Sequence, residues 1–442
     1  MVGTAGSANS DARPTVSRRP SPESPTSAQC GKKRHQRHGR FGGRMASQFG
    51  WMDHDEAQRR RMLAAIELFK DQGTVDELGF GAVRDTISSV LFPGASVLHT
   101  RARYLLLVPW CVNQAVQRRL SPSESAAELR RLEIKVIYAL LVNESRGVIG
   151  QQARDKVKRL PSAAYWSVLR TWGIRQSDTS IEGFFRDARV ARQSAARQPT
   201  ADDVGAGFDT YTGGFDPDLP MPSGDYLVQT TFTLTPEESA YIGDRLRMTT
   251  AGSLIPWLLD VGLADDVSNI WNHPAIGQAP PTLTALVEHG RRFSVLVHGA
   301  ALLYNLLLAE LVDDERGLVG RYRGCLDEWS AEVAETHALE GWERDEFWAA
   351  VRRHNPGLRR PTEKFVESWI ERLRQAPTIA DDEAARALIR DRELALKGGR
   401  ARLVNAAARD HWEGASGLVR LDYNWSVAQR LLDDVLNPGA AA

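Results

Sequence analysis

Between Arg146 and Arg175 the chain sets seven basic side chains against one acidic residue. That composition suits a surface that holds phosphate by charge and by guanidinium hydrogen bonds. Lys156, Lys158, Arg159, Arg170 and Arg175 are the candidate nucleic-acid contacts. The stretch divides into a helix over 151–160, the turn Leu160-Pro161-Ser162, and a Ser-capped helix over 162–172. This order is compatible with a helix-turn-helix, whose second helix enters a major groove while basic neighbours grip the backbone. Tyr165, Trp166, Leu169 and Trp172 fall mostly on one face and read as core, so the cations are either DNA-binding groups or one solvated face.

A second constellation is Asp76, Glu77, Arg84, Asp85, Arg101 and Arg103, flanking the turn signals Gly79-Phe80-Gly81 and Phe92-Pro93-Gly94. Convergent Arg and Asp either form an anion or nucleotide site, through Arg101 and Arg103, or a buried polar network that fixes how helices cross. LGFGAVR at 78–84 places Gly-x-Gly at a helix start, where free amides could hold phosphate. No strand precedes it, and a turn-and-cap role fits better. Glu133-Ile134-Lys135 has the spacing of some metal-dependent nuclease pairs, yet it sits in a helical pattern instead of on a strand.

The remaining chemistry is absent from the sequence: no GxxxxGK[ST] loop, no HExxH, no GxSxG elbow and no paired CxxC. Ten histidines are scattered, and His289 and His298, nine apart, do not share a helix face. Cys30, Cys111 and Cys325 can build neither a disulfide framework nor a four-ligand zinc site. The sequence therefore implies no catalytic residue, metal or cofactor, and a reduced, cytoplasmic setting. The 12 tryptophans fall largely at core spacings, so they are not read as base-stacking platforms.

The elements that must position these groups are helices. The spacing predicts helices over 53–70, over 81–91 after a Thr74–Glu77 capping box, over 101–120 with Thr100 as cap and a kink at Pro109, and over 128–142. Tyr226–Leu234 alternates as a strand, and Thr235-Pro236-Glu237-Glu238 is a second capping box. Further helices are expected over 282–311, 325–352, 362–375, 380–410 and 424–436. Phe293–Ala309 is 17 residues without a charge, but His298 and Asn305 inside it favour a central buried helix over a membrane span. The fold class is mainly α, multi-helical, in two parts, with at most a small β element near 226–234.

The 442 residues are 42% apolar and 25% charged, which excludes wholesale disorder and a polytopic membrane protein. The zero net charge conceals an asymmetry: +7 over residues 1–44, +7 over 45–200 and −14 over 201–442. A basic surface facing a polyanion and an intramolecular docking of the basic part on the acidic part both explain it. The division read from these patterns is a basic tail over 1–44, unable to bury a core and preceding an alternative start at Met45; a basic helical domain over 45–190; a linker or long loop over 191–225; and an acidic helical domain over 226–442.

At SQFGWMD (47–53), DELGFGAVRD (76–85), LFPG (91–94) and TRARYLLLVPW (100–110) the chain resembles an uncharacterised bacterial family of unknown function. PSAAYW (161–166), GAALLYNLLLAE (299–310) and LDYNW (421–425) extend the resemblance over roughly 45–436. The resemblance implies an accessory component of an anti-phage defence system, beside partners such as a helicase or a nuclease, and it supplies no catalytic residues. The leading expectation is a non-enzymatic nucleic-acid-associated or scaffolding protein, with DNA or RNA as partner and no membrane. Its rivals are an enzyme using the Asp76–Arg103 region and a pure protein adaptor.

Overall fold

A computed structural model describes residues 76–197, 214–222, 224–312, 316–376 and 378–439. The helix expected over 53–70 lies outside them, as does Thr74. The described residues belong to one unit, Leu63–Ala442. They form fourteen α-helices and a few 3-10 turns, and no strand occurs among them beyond one isolated antiparallel bridge between Arg175 and Phe215. The mainly α fold class is therefore the observed one.

In chain order the helices are α1 (Gly81–Leu91), α2 (Tyr104–Gln117), α3 (Pro122–Leu140), α4 (Pro161–Thr171), α5 (Ile181–Arg197), α6 (Pro236–Thr249), α7 (Leu254–Val261), α8 (Pro281–Ala309), α9 (Leu318–Glu335), α10 (Arg344–His354), α11 (Arg360–Gln375), α12 (Glu383–Lys397), α13 (Ala406–Arg409) and α14 (Trp425–Leu436). α8 is the axis of the second half, packed against α1, α9, α10, α11 and α12. It is long and apolar enough to cross a membrane by length and composition, and 83% of its apolar window is buried within this fold. α2 lies on α3 and α4, α3 also on α5, and α14 joins α6 and α7.

α8 is closely approached because Gly299 faces the Trp329 ring, where a Cβ would sit 2.2 Å from Cζ2. The closeness lets Trp329 Nε1 donate to the Val295 carbonyl at 2.7 Å, while Trp369 Nε1 donates to Leu296 at 2.9 Å. Other indoles act the same way: Trp110, Trp172 and Trp425 donate to the carbonyls of Pro220, Pro93 and Val267. Their rings fill the core and their N–H groups are satisfied internally.

Local signals hold where caps are made by neighbours. Thr235 and Glu238 form the reciprocal capping box of α6, and Ser121 with Glu124 forms the one that starts α3 earlier than its apolar spacing indicated. Other expectations fail because distant groups intervene. Glu77 is not in the first turn of α1, which starts at Gly81; its carboxylate is buried among Lys397, Arg402 and Ser416, and Thr74, its expected box partner, lies outside the described residues. Asp76 caps α1 in its place, accepting from Phe80 and Gly81 amides at 2.7 Å each.

α2 begins at Tyr104 with Arg103, not Thr100, at the N-cap position, and continues through Pro109. Just ahead of it, the Ala102 amide donates to Asp434 at 2.7 Å. Residues 151–160 hold only a three-residue 3-10 turn, Arg154–Lys156, so the first helix of the expected helix-turn-helix is missing. α4 starts at Pro161 behind Leu160, so Ser162 does not cap it. Residues 226–234 form turns and irregular chain, with the Thr230 amide on the Ala139 carbonyl and the Phe232 amide on Glu144. The helix expected over 325–352 is two, α9 and α10, separated around Gly341, whose φ is +58°. Gly398, φ +55°, ends α12 where one helix to 410 was expected.

Candidate nucleic-acid interface

The segment between α3 and α4 is irregular yet tightly held. Arg130 on α3 donates to the Val157 carbonyl at 3.0 Å and the Asp155 carbonyl at 2.9 Å. The Tyr104 hydroxyl receives the Ile149 amide at 3.0 Å, and Val148 and Val157 are buried. Gly150, at φ +84°, sits where a Cβ would be 2.9 Å from Val157 and 3.1 Å from Ile137, so the chain turns in contact with α3. Arg146, Arg154, Lys156 and Lys158 are exposed on this segment, and none forms an ion pair among the described residues. Asp155, also exposed, is its one carboxylate besides Glu144, which is engaged with Phe232.

The five candidate contacts separate. Lys156 and Lys158 stand together on this segment. Arg159 is half-buried, and burial pulls its guanidinium below the ordinary arginine value. Arg170 is exposed at the end of α4, 3.7 Å from Asp178. Arg175 is 4% exposed, stacks 4.6 Å from the Trp166 ring centroid and donates to the carbonyls of Trp166, Ser177 and Thr179. It is spent inside the fold and offers nothing to a surface phosphate.

The set Asp76, Arg84, Asp85, Arg101 and Arg103 does not converge on one point. Asp76 caps α1, and its oxygens occupy the amides that could have held phosphate. Arg84 meets Asp85 at 2.8 Å on the surface. Arg101 is clamped by Asp434, Nη2 to Oδ1 at 2.7 Å and Nε to both oxygens at 2.9 and 3.0 Å. Arg103, 8% exposed, donates to Glu238 at 2.9 Å and to the Thr231 carbonyl at 3.0 Å. These pairs tie α2 to α14 and α6, the arrangement of a polar network that sets helix crossings.

Glu133 and Lys135 point apart: Lys135 is exposed, whereas Glu133 is 1% exposed and accepts from the Ser162 amide at 2.6 Å and hydroxyl at 2.9 Å. Glu133 thus supplies, from 29 residues away, the acceptor that α4 lacks at its own N-cap. Burial pushes its carboxyl up to about 7, against the two Ser162 hydrogen bonds.

Sequence reasoning missed two features. One is a cleft of about 510 Å³ between the α2–α3 turn and α5, lined by Arg119, Ser121, Glu124, Arg189, Arg192 and Gln193; the i, i+3 repeat of Arg186, Arg189 and Arg192 was its available signal. The other is a buried cluster in which Glu77 meets Lys397, Arg402 and Ser416, while Glu393 accepts from Tyr304 at 2.7 Å and from the Arg402 and Leu403 amides. Each carboxylate there is satisfied by donors of this chain, so the cluster locks the fold. Among the described residues no group of three His, Cys, Asp or Glu is placed to hold a metal ion.

Residues 46–439 match the model of DUF6361, a family of unknown function. The chain belongs to this family. No curated protein matches it, and no solved structure does. The motifs by which this DUF6361 protein resembles its family are built into the fold: the Tyr165 hydroxyl accepts the Thr100 amide at 2.8 Å, Asn305 accepts from Trp412 and the Ser416 amide, and Tyr423 donates to the Gly290 carbonyl at 2.7 Å.

Proposed function

We propose that this DUF6361 protein is a non-catalytic, nucleic-acid-associated component that grips a phosphate backbone through the 146–158 segment. The observation that carries the reading is the contrast in how cations are used. Many other arginines are paired with a carboxylate, as Arg101 with Asp434, Arg103 with Glu238, Arg291 and Arg292 with Glu288, Arg323 with Asp381, Arg372 with Asp382 and Arg420 with Glu332. Arg146, Arg154, Lys156 and Lys158 are held on a pinned segment with no such partner. Exposed cations without counter-charges suit a polyanion, whose condensed counterions they displace. The family resemblance adds the setting, an accessory role beside a helicase or nuclease in anti-phage defence.

The test is fluorescence anisotropy against single-stranded DNA, duplex DNA and RNA across salt concentrations. Lys156→Glu/Lys158→Glu should weaken binding and flatten the log–log salt slope by about 2, near 0.9 per lost phosphate contact. The same variant should reduce phage resistance in a plaque assay. Unchanged affinity and slope in this variant would remove the segment from the interface.

A further inference from the structure

We infer that a second nucleic-acid backbone contact lies at the turn joining α10 and α11, in the half of the chain whose net charge is negative. This helical hairpin has a five-residue turn, 355–359, anchored to α1 by the Asn355 side chain, whose Nδ2 donates to Thr86 Oγ1 at 3.1 Å. Around it stand Arg353, His354, Arg359, Arg360 and Lys364, all exposed. None of these five side chains forms a hydrogen bond or ion pair among the described residues.

The hairpin's own structural pairs leave these cations over. Arg352 takes Glu363 at 2.6 Å and Arg344 takes Glu367 at 2.5 Å, bridging the two helices and consuming the carboxylates within reach. Asp345 and Glu346 lie at the opposite end of α10, about 12 Å from its C-terminus by helical rise. Asp85, exposed on the adjoining α1, is engaged by Arg84.

Helix stabilisation accounts for Arg353 and His354, which face the negative end of the α10 dipole. It does not account for Arg359 and Arg360, at the cap and first position of α11, where the macrodipole disfavours positive charge, nor for Lys364 one turn further on. Two cations placed against the dipole, with a third one turn on, all left without partners, are explained by an external polyanion. None of the large exposed apolar residues is on the hairpin, so its own surface has nothing to bury in a lipid layer. Arginine forks match phosphate oxygens bidentately, and a nucleic-acid backbone presents phosphates as a repeating row.

The inference does not depend on the 146–158 segment, and its experiment separates the two. Arg359→Glu/Arg360→Glu in the full chain should lower affinity for a 20-nucleotide DNA at least tenfold and reduce the salt slope by about 2. Arg359→Ala/Arg360→Ala should keep or raise Tm while weakening binding, since a merely structural role would lower Tm. Loss in the hairpin variants with none in Lys156→Glu/Lys158→Glu supports this surface and removes the other. Full affinity and slope in folded hairpin variants, no DNA binding by the parent at low salt, or equal binding of the parent to polyglutamate, would each overturn it.

Discussion

His99 shows how completely a titratable side chain can be absorbed by packing. Its Nδ1 accepts the Ser96 amide at 3.2 Å, its Nε2 faces the Ala164 carbonyl at 3.2 Å, and its ring lies 4.6 Å from that of Tyr165. Burial lowers its pKa from 6.5 to about 4. On acidification the unfolded chain takes the proton first, so the contribution of neutral His99 is whole above about pH 6.5 and is lost as pH falls towards 4. The loss amounts to roughly 3 kcal/mol at 1.36 kcal/mol per unit. His298, also lowered to about 4 by burial, acts in the same window. Glu133 acts oppositely between 4.5 and about 7, because the folded chain holds its proton longer. Comparison with His99→Gln therefore carries the test: its Tm should fall less steeply between pH 7 and 4, and identical slopes would deny His99 this role.

At the scale of elements, several helices are started by residues other than the local cap. Asp76 takes two amides ahead of α1, Asp434 takes Ala102 ahead of α2, and Glu133 takes Ser162 in α4. Asp76→Ala leaves the Phe80 and Gly81 amides without their acceptor and should cost about 1 kcal/mol, the usual worth of a cap. Urea unfolding measures it, and a midpoint equal to the parent's would mean that water replaces the carboxylate freely. The same principle explains which elements were legible. The Thr235–Glu238 box works within three residues, so α6 starts where the sequence placed it. The helix expected over 151–160 failed because residues 148–157 are held by Tyr104, Arg130 and Ile137, with an apolar spacing that serves this docking. Alternation over 226–234 resembled a strand, yet the Thr230 and Phe232 amides go to Ala139 and Glu144, and those of Val228 and Gln229 close a turn on Asp225.

For the whole molecule, the charge asymmetry has an internal share. Glu77, Arg101 and Arg103 from the basic part pair with Lys397, Arg402, Asp434 and Glu238 from the acidic part. Glu77, 4% exposed, is the most heavily used: Glu77→Ala leaves Arg402 without a carboxylate and Lys397 with Glu393 alone, and should cost about 1.5–3 kcal/mol. A thermal shift of less than a degree would show that the cluster is not a lock.

What the sequence determined by itself was the helical class, the central apolar helix, the near caps and the family, because each rests on patterns repeating within a few residues. What tertiary structure decided was the use of each charge. Arg101 meets Asp434 across 333 positions and Glu77 meets Ser416 across 339, and no periodicity encodes such distances. A cation becomes a fold contact or a surface group according to whether a carboxylate is carried to it. Arg175 was carried inward and Arg359 was left outside, and only the packing of the helices separates them.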